Sequence, residues 1–214
     1  VIGRIACVGE VMLDVFVTTA ARHGPIRVRA GGTPVNAALA AGTGAFVVGR
    51  IGDDAAGAAI RARLPGARLA VDPALPTGTY VELADGTAHA DRGANDALTL
   101  DDALPLDVEA VLLSGYVSLP LLDHVDARWR AFVCTPTTRA VPDAANVVFA
   151  NDEEAARLEL GEREIVVVTH GPDGATVNGE RLEPTGDAET GAGDRLAGRF
   201  LASLLSRRRR AAGA

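Results

Sequence analysis

The chain contains no lysine: all 21 basic residues among its 214 are arginine. That excludes a Gly-x-x-x-x-Gly-Lys-[Ser/Thr] phosphate loop and the strand lysine of protein kinases, because both depend on an ammonium group. Any phosphate chemistry must rely on backbone N–H groups, arginine and a metal. Aromatic residues make up only 4% of a chain that is 48% hydrophobic, so the core has to be built from Ala, Val and Leu. The two cysteines, Cys7 and Cys134, fall in apolar strand-like runs; they form no disulfide framework and read as small hydrophobes. An apolar run of about 18 residues is absent, as is a signal-peptide pattern, which leads us to expect a soluble, cytoplasmic protein with no membrane partner. The four histidines have no metal-ligand spacing among themselves or with the cysteines. There is no Gly-x-Ser-x-Gly nucleophile elbow, and no Gly-x-Gly-x-x-Gly follows the first strand-like run. The net charge of -7 and a pI near 5.1 argue against nucleic acid as a partner. Only Arg207 to Arg210 form a basic run, beside the C-terminus, and it reads as a solvated helix end.

Near the end of the chain stands Thr190-Gly191-Ala192-Gly193-Asp194, followed by Leu196, Ala197, Phe200, Leu201, Leu204 and Leu205 at helical spacing. The glycines let the backbone turn tightly, and the free N–H groups of a helix start, with the positive end of its dipole, favour an anion there. Two readings fit Asp194. The dipole alone favours an acidic residue in a first turn. Alternatively, an Asp closing an anion loop serves to take a proton from a hydroxyl that attacks a phosphoryl group held by the loop.

Elsewhere, short apolar runs alternate with helical patterns. Strands are expected at Ile5 to Val8, Phe46 to Ile51, Arg68 to Val71, Val111 to Leu113, Phe132 to Cys134, Val147 to Phe149 and Ile165 to Thr169. Helices are expected from Pro34 to Ala41, from Asp54 through Leu64, near Leu119 to Trp129, over Glu153 to Leu160 and from Asp194 onward. This alternation implies an α/β fold with a mostly parallel sheet covered by helices on both faces. Residues 26–30 and 79–91 are too polar for that core; the latter carry an Asp85-Gly86 hairpin signal, and together they read as a small β flap. No linker divides the chain, so residues 1–214 are expected to form a single domain.

A second segment runs Gly31-Gly32-Thr33-Pro34-Val35-Asn36 and continues to Gly49-Arg50-Ile51-Gly52-Asp53-Asp54-Ala55-Ala56-Gly57. On its own, Gly-Gly before a helix is a common turn. Together with the Gly-Ala-Gly-Asp loop, it closely resembles the two signatures of the ribokinase-like (PfkB-type) family of carbohydrate and nucleoside kinases, and the resemblance extends over nearly the whole chain. It implies a ribokinase-like fold with a single kinase domain and phosphoryl transfer from ATP, with Mg2+, to a hydroxyl of a sugar or related small polyol. Asp194 would be the general base, with the N–H groups of Gly191, Ala192 and Gly193 as the anion hole. Asp14, Gly31, Gly32, Asn36, Arg92 and Asn95 would bind the sugar. Asn151, Thr169, Gly171 and Gly174 would border the nucleotide, and Glu154 of the Asn-x-x-Glu-like Asn151 to Glu154 would serve the magnesium. Arg50 would add cationic help, and the flap's exposed edges suggest a homodimer.

Departures from the family are also present. The chain ends about twenty residues after Asp194, where the family continues through helices that enclose the adenine. The stretch between Tyr116 and Asn151 is shorter than usual. The family's Asp-Thr-Thr is Ala188-Glu189-Thr190; in some relatives that Asp holds a monovalent cation, which Ala188 cannot, and Asp187 could replace it only if the backbone shifts by one residue. Two alternatives to a sugar kinase follow: a degenerate sugar-binding relative without transfer activity, and a nucleoside kinase, which the low aromatic content disfavours.

Overall fold

The computed structural model describes residues 4–182 and 190–212. In chain order its elements are β1 (Ile5–Val8), β2 (Met12–Val17), β3 (Ile26–Gly31), α1 (Thr33–Ala41), β4 (Ala45–Gly52), α2 (Ala55–Arg63), β5 (Arg68–Asp72), β6 (Gly78–Glu82) and β7 (Ala88–Asp91). They continue with α3 (Leu100–Ala103), β8 (Ala110–Ser114), β9 (Trp129–Val133), β10 (Val147–Asn151), α4 (Asp152–Arg157), β11 (Ile165–Thr169), β12 (Ala175–Val177), β13 (Glu180–Leu182) and α5 (Ala192–Ala212).

Among the described residues, nine strands form one sheet in the order β13-β12-β11-β10-β9-β8-β1-β4-β5. From β11 to β5 every neighbouring pair is parallel, and β12 and β13 add an antiparallel edge. Strand β1 is apolar throughout and wholly buried, as a strand covered on both faces must be. From it the chain builds outward in two directions, first to β4 and β5, then to β8 and beyond. The switch point therefore lies between β1 and β8, and open α/β sheets bind ligands at the carboxyl ends of the strands beside such a point.

Ile5 and Cys7 face one core with α1, α2 and α5; Ala6 and Val8 face another. The second core is covered differently from the sequence expectation. Among the described residues, the short α3 and α4, 3-10 turns at Gly93–Ala97 and Leu121–Asp123, and extended segments lie over it. The helix expected near Leu119 to Trp129 does not form, and Trp129 instead begins β9. The connection must return along the height of the sheet within residues 115–128. Trp129 is taken into the sheet, pairing with Ala110 of β8, and the residues before it reach that ladder through a 3-10 turn at Leu121–Asp123 and extended chain. Leu121, Leu122, Val125 and Ala127 still bury their side chains, so the apolar spacing served packing without a helix. The helix expected to reach Leu160 stops at Arg157, because Leu158 turns to extended backbone and buries its side chain in the core.

The other helices start where their caps dictate. Asp54 accepts the Gly57 N–H at the start of α2, and Asn151 and Glu154 form a reciprocal capping box at α4. A separate four-stranded sheet, ordered β3-β2-β6-β7, forms the flap. It is larger than residues 26–30 and 79–91, because β2 is its centre, pairing antiparallel with β3 and parallel with β6. No helix among the described residues is long and apolar enough to cross a membrane.

Helices α1 and α5 touch closely at Gly198, where a Cβ would run into the Ala37 carbonyl. In an ordinary helix interior, Gly→Ala is worth about 1 kcal/mol in favour of Ala. Here the sign is expected to reverse: Gly198→Ala should destabilise by about 1–3 kcal/mol, as overpacking does. Thermal unfolding checks this, and a melting temperature raised by the substitution would contradict the close contact.

Candidate active site

A cavity of about 840 Å³ opens at the carboxyl ends of β1, β8, β9, β10 and β11, under the flap. The two sequence signatures meet on its wall. Asn36, one turn into α1, donates from Nδ2 to Asp194 Oδ2 at 3.1 Å, across 158 residues of sequence. Gly191 has φ 83°, and a Cβ there would collide with the Asn36 amide, so both its backbone and its contact require glycine. Helix geometry leaves the N–H groups of the first turn of α5 without intrahelical partners, beside the cavity lined by Gly191, Gly193 and Asp194. Burial pushes the Asp194 carboxyl up from its ordinary value, against hydrogen bonds from Asn36 and Thr33 and the charge of Arg195. A carboxylate raised in this way is a better proton acceptor than one in water.

Asp14, on β2, is 5% exposed and pairs with Arg29 of β3 at 3.4 Å. Burial is the main cause that lifts its carboxyl to about 6; Arg29 opposes the rise, and Asp194 and Glu82 reinforce it. Gly32 lines the cavity, whereas Gly31 packs beneath it directly against the Asp14 carboxylate. On the far side, Asn151, Glu154 and Thr169 line the wall as expected. Glu154 spends one oxygen on the capping box, accepting the Asn151 N–H at 2.9 Å, and burial raises its carboxyl. No cluster of three or more His, Cys, Asp or Glu suited to a metal occurs among the described residues. Magnesium bound with a nucleotide needs only one or two carboxylates beside phosphates and water, and Glu154, which lines the wall with one oxygen left over from the capping box, fits that requirement.

Other expected site residues are placed differently. Asn95 lines the cavity with its amide turned away: Oδ1 accepts the Val11 N–H at 2.8 Å, and Nδ2 donates to the Val11 and Arg92 carbonyls at 3.1 and 2.8 Å. Both of its N–H donors are thus consumed by backbone, and it acts as a clamp holding the start of β2. Arg92 lines the cavity, with its guanidinium bound to Asp96 and to the Tyr116 carbonyl. Arg50 lies away from the cavity, held by Asp72 and Asp102 at 3.0 and 2.8 Å, because those two carboxylates outcompete any role for it at the site. Gly171 and Gly174 shape the turn between β11 and β12 and do not line the cavity, nor does Ala192. Asp187, Ala188 and Glu189 lie outside the described residues.

Several lining residues were not singled out from the sequence. Glu10, just after β1, is 3% exposed and accepts the Thr33 N–H on Oε1 at 2.8 Å. Helix α1 has Gly32 at its N-cap, with no capping side chain of its own, so Glu10 supplies the missing acceptor from another element. A carboxylate two residues after an all-apolar strand was the available signal. Both tyrosines of the chain, Tyr80 and Tyr116, also line the cavity, as do Thr135 and Thr137 in the turn after β9. Arg157 of α4 fixes that turn by donating to the Thr135 and Thr138 carbonyls. Across the mouth, Thr190 ties its loop to the flap: its hydroxyl donates to Glu82 at 3.0 Å, and its carbonyl accepts from Arg29 at 3.5 Å.

No family model matches the sequence, and no curated protein matches it. Solved structures do. A ribokinase from Arabidopsis thaliana, complexed with ribose and ATP, superposes with a TM-score of 0.73 at 21% identity, over 96% of this chain and 87% of that one. An adenosine kinase from Anopheles gambiae gives 0.75 at 19% identity, over 96% and 94%. A PfkB protein from Polaromonas gives 0.70 at 19% identity, over 96% and 90%. The chain has the ribokinase-like fold.

A buried carboxyl of raised pKa makes the ligand-free site pH-sensitive. The unfolded Asp14 titrates near 3.8 and the folded one near 6. Below about pH 4 both states are protonated and Asp14 costs nothing. Between there and pH 6 the unfolded state releases its proton first, so stability falls as pH rises. Asp14→Asn is therefore expected to melt higher than the parent at pH 7, with the gain vanishing near pH 4; chemical denaturation at the two pH values reads it. A substitution that destabilises at pH 7 would contradict the cost.

Proposed function

We propose that this ribokinase-like protein transfers the terminal phosphoryl group of ATP to a hydroxyl of a small polyol. The observation that carries the reading is the Asn36–Asp194 contact: it fixes a desolvated carboxylate beside the free N–H groups that open α5. When bound, ATP supplies the phosphoryl group and Mg2+ neutralises its phosphates. Asp194 accepts the proton of the attacking hydroxyl on its carboxylate, with Asn36 and Thr33 fixing its orientation. The backbone N–H groups of Gly191 and Gly193, which line the cavity, stabilise charge on the oxygens in transfer. Asp14 and the edge at Gly32 hold the acceptor's other hydroxyls, and Glu154, with Asn151 and Thr169, receives the metal and phosphate side. The flap excludes water while its strands stay tied to the loop through Thr190 and Glu82.

A second reading has the same chemistry with a nucleoside acceptor. It is favoured by Tyr80 and Tyr116, the chain's two tyrosines, both lining the cavity where a base would stack.

The test is Asp194→Asn. It is near-isosteric and keeps an oxygen for the Asn36 donor, so the fold and acceptor binding should persist. Turnover in a coupled assay with magnesium and ATP should fall by about 10²–10⁴, the scale of a lost general base. Turnover within a few-fold of the parent would assign Asp194 a structural role and remove the mechanism.

A further inference from the structure

Charge around the acceptor end of the cavity is one-sided. Glu10, Asp14 and Asp194 reach it from the junction after β1, from β2 and from the start of α5, and both Glu10 and Asp14 feel the charge of Asp194. The Glu10 carboxyl is buried, held by the Thr33 N–H on Oε1 and with the Ser114 hydroxyl as its neighbouring donor. The guanidinium groups nearby are already committed. Arg29 binds Asp14 and the Thr190 carbonyl and stacks on Phe16 at 4.7 Å. Arg92 binds Asp96 and the Tyr116 carbonyl. Arg195 donates to the Thr190 carbonyl, and Arg27, farther out on β3, leans on Phe16 at 5.8 Å and does not line the cavity.

We infer that the acceptor carries no anionic group: the site takes an uncharged or amino-bearing polyol and selects against phosphorylated or acid sugars, with the Asp14–Arg29 pair as the determinant. This rests on the kinase reading only for which end of the cavity holds the acceptor. A phosphate ester would bring about two negative charges into a space walled by carboxyl groups. To take Arg29 as its cation it would have to draw that guanidinium away from Asp14, leaving the carboxyl buried and unpaired. Hydroxyl groups meet the same wall without that conflict, because each donates to a carboxylate and accepts from the Asn36 amide or a backbone N–H. An ammonium is accommodated by the same carboxylates.

The experiment is calorimetric titration of the full chain, with a nonhydrolysable ATP analogue filling the donor half. The ligands are pentoses, hexoses, hexosamines and nucleosides, each beside its phosphate monoester. At least one uncharged or amino member should bind, with its monoester weaker by about a hundredfold or more. In Asp14→Asn, which releases Arg29, that ratio should shrink by about tenfold or more. Tighter binding of a monoester, an unchanged ratio in the variant, or no binding by any uncharged member would overturn the inference. Catalysis is read separately: the expected preference without phosphate transfer would leave charge selection standing and sink the kinase reading, while turnover confined to monoesters would do the reverse.

Discussion

The site depends on one helix contact. Gly198 lets α5 lie against the backbone of α1 at Ala37, and that approach brings the first turns of both helices to one point. The Asn36–Asp194 hydrogen bond is its consequence. Because α1 is entered from Gly31 and Gly32 at the end of β3, the same contact also sets where the flap meets the cavity. Glu10 anchors the arrangement from the sheet side through the Thr33 N–H. Two helix N-termini thus point toward the same carboxylates, and their positive ends offset part of the cost of holding those charges away from water.

Electrostatics explains why these carboxyls are costly and why they are there. Burial raises Glu10, Asp14, Glu154 and Asp194 alike, so the ligand-free cavity stores unfavourable charge that donors on a substrate relieve. The flap is part of the same arrangement. Arg29 partly compensates Asp14, and the Thr190–Glu82 bond ties the small sheet to the loop that opens α5. A stability optimum and a functional optimum diverge at such a site.

Much of this was legible in the sequence. The apolar runs at Ile5 to Val8 and Val147 to Phe149 became core strands, since buried parallel strands need apolar residues on both faces. The Gly-Gly-x-x-x-Asn and Gly-Ala-Gly-Asp segments marked the two helix starts, because their glycines answer close approaches that few other residues permit. Whether a side chain faces the cavity or the backbone was not legible: Asn95 turned inward to Val11, and Arg50 was captured by Asp72 and Asp102 from distant elements. Residues 119–129 carried helical spacing, yet their last residue, Trp129, was taken into the sheet against Ala110 of β8. Glu10 and the two tyrosines acquired their places only through the meeting of β1, β6 and β8, which no local pattern encodes.

The central claim is geometric: Asp194 and the opening of α5 act on the same pair of atoms, the attacking oxygen and the phosphorus. A crystal structure of the chain with a polyol that binds it and a nonhydrolysable ATP analogue would test this directly. The account requires one acceptor hydroxyl within hydrogen-bond reach of an Asp194 oxygen, about 2.6–3.2 Å. It also requires the terminal phosphate to face the N–H groups of Gly191 and Gly193, in line with that hydroxyl. A complex in which the acceptor hydroxyls all bind elsewhere, with Asp194 still bonded only to Asn36 and Thr33, would contradict it.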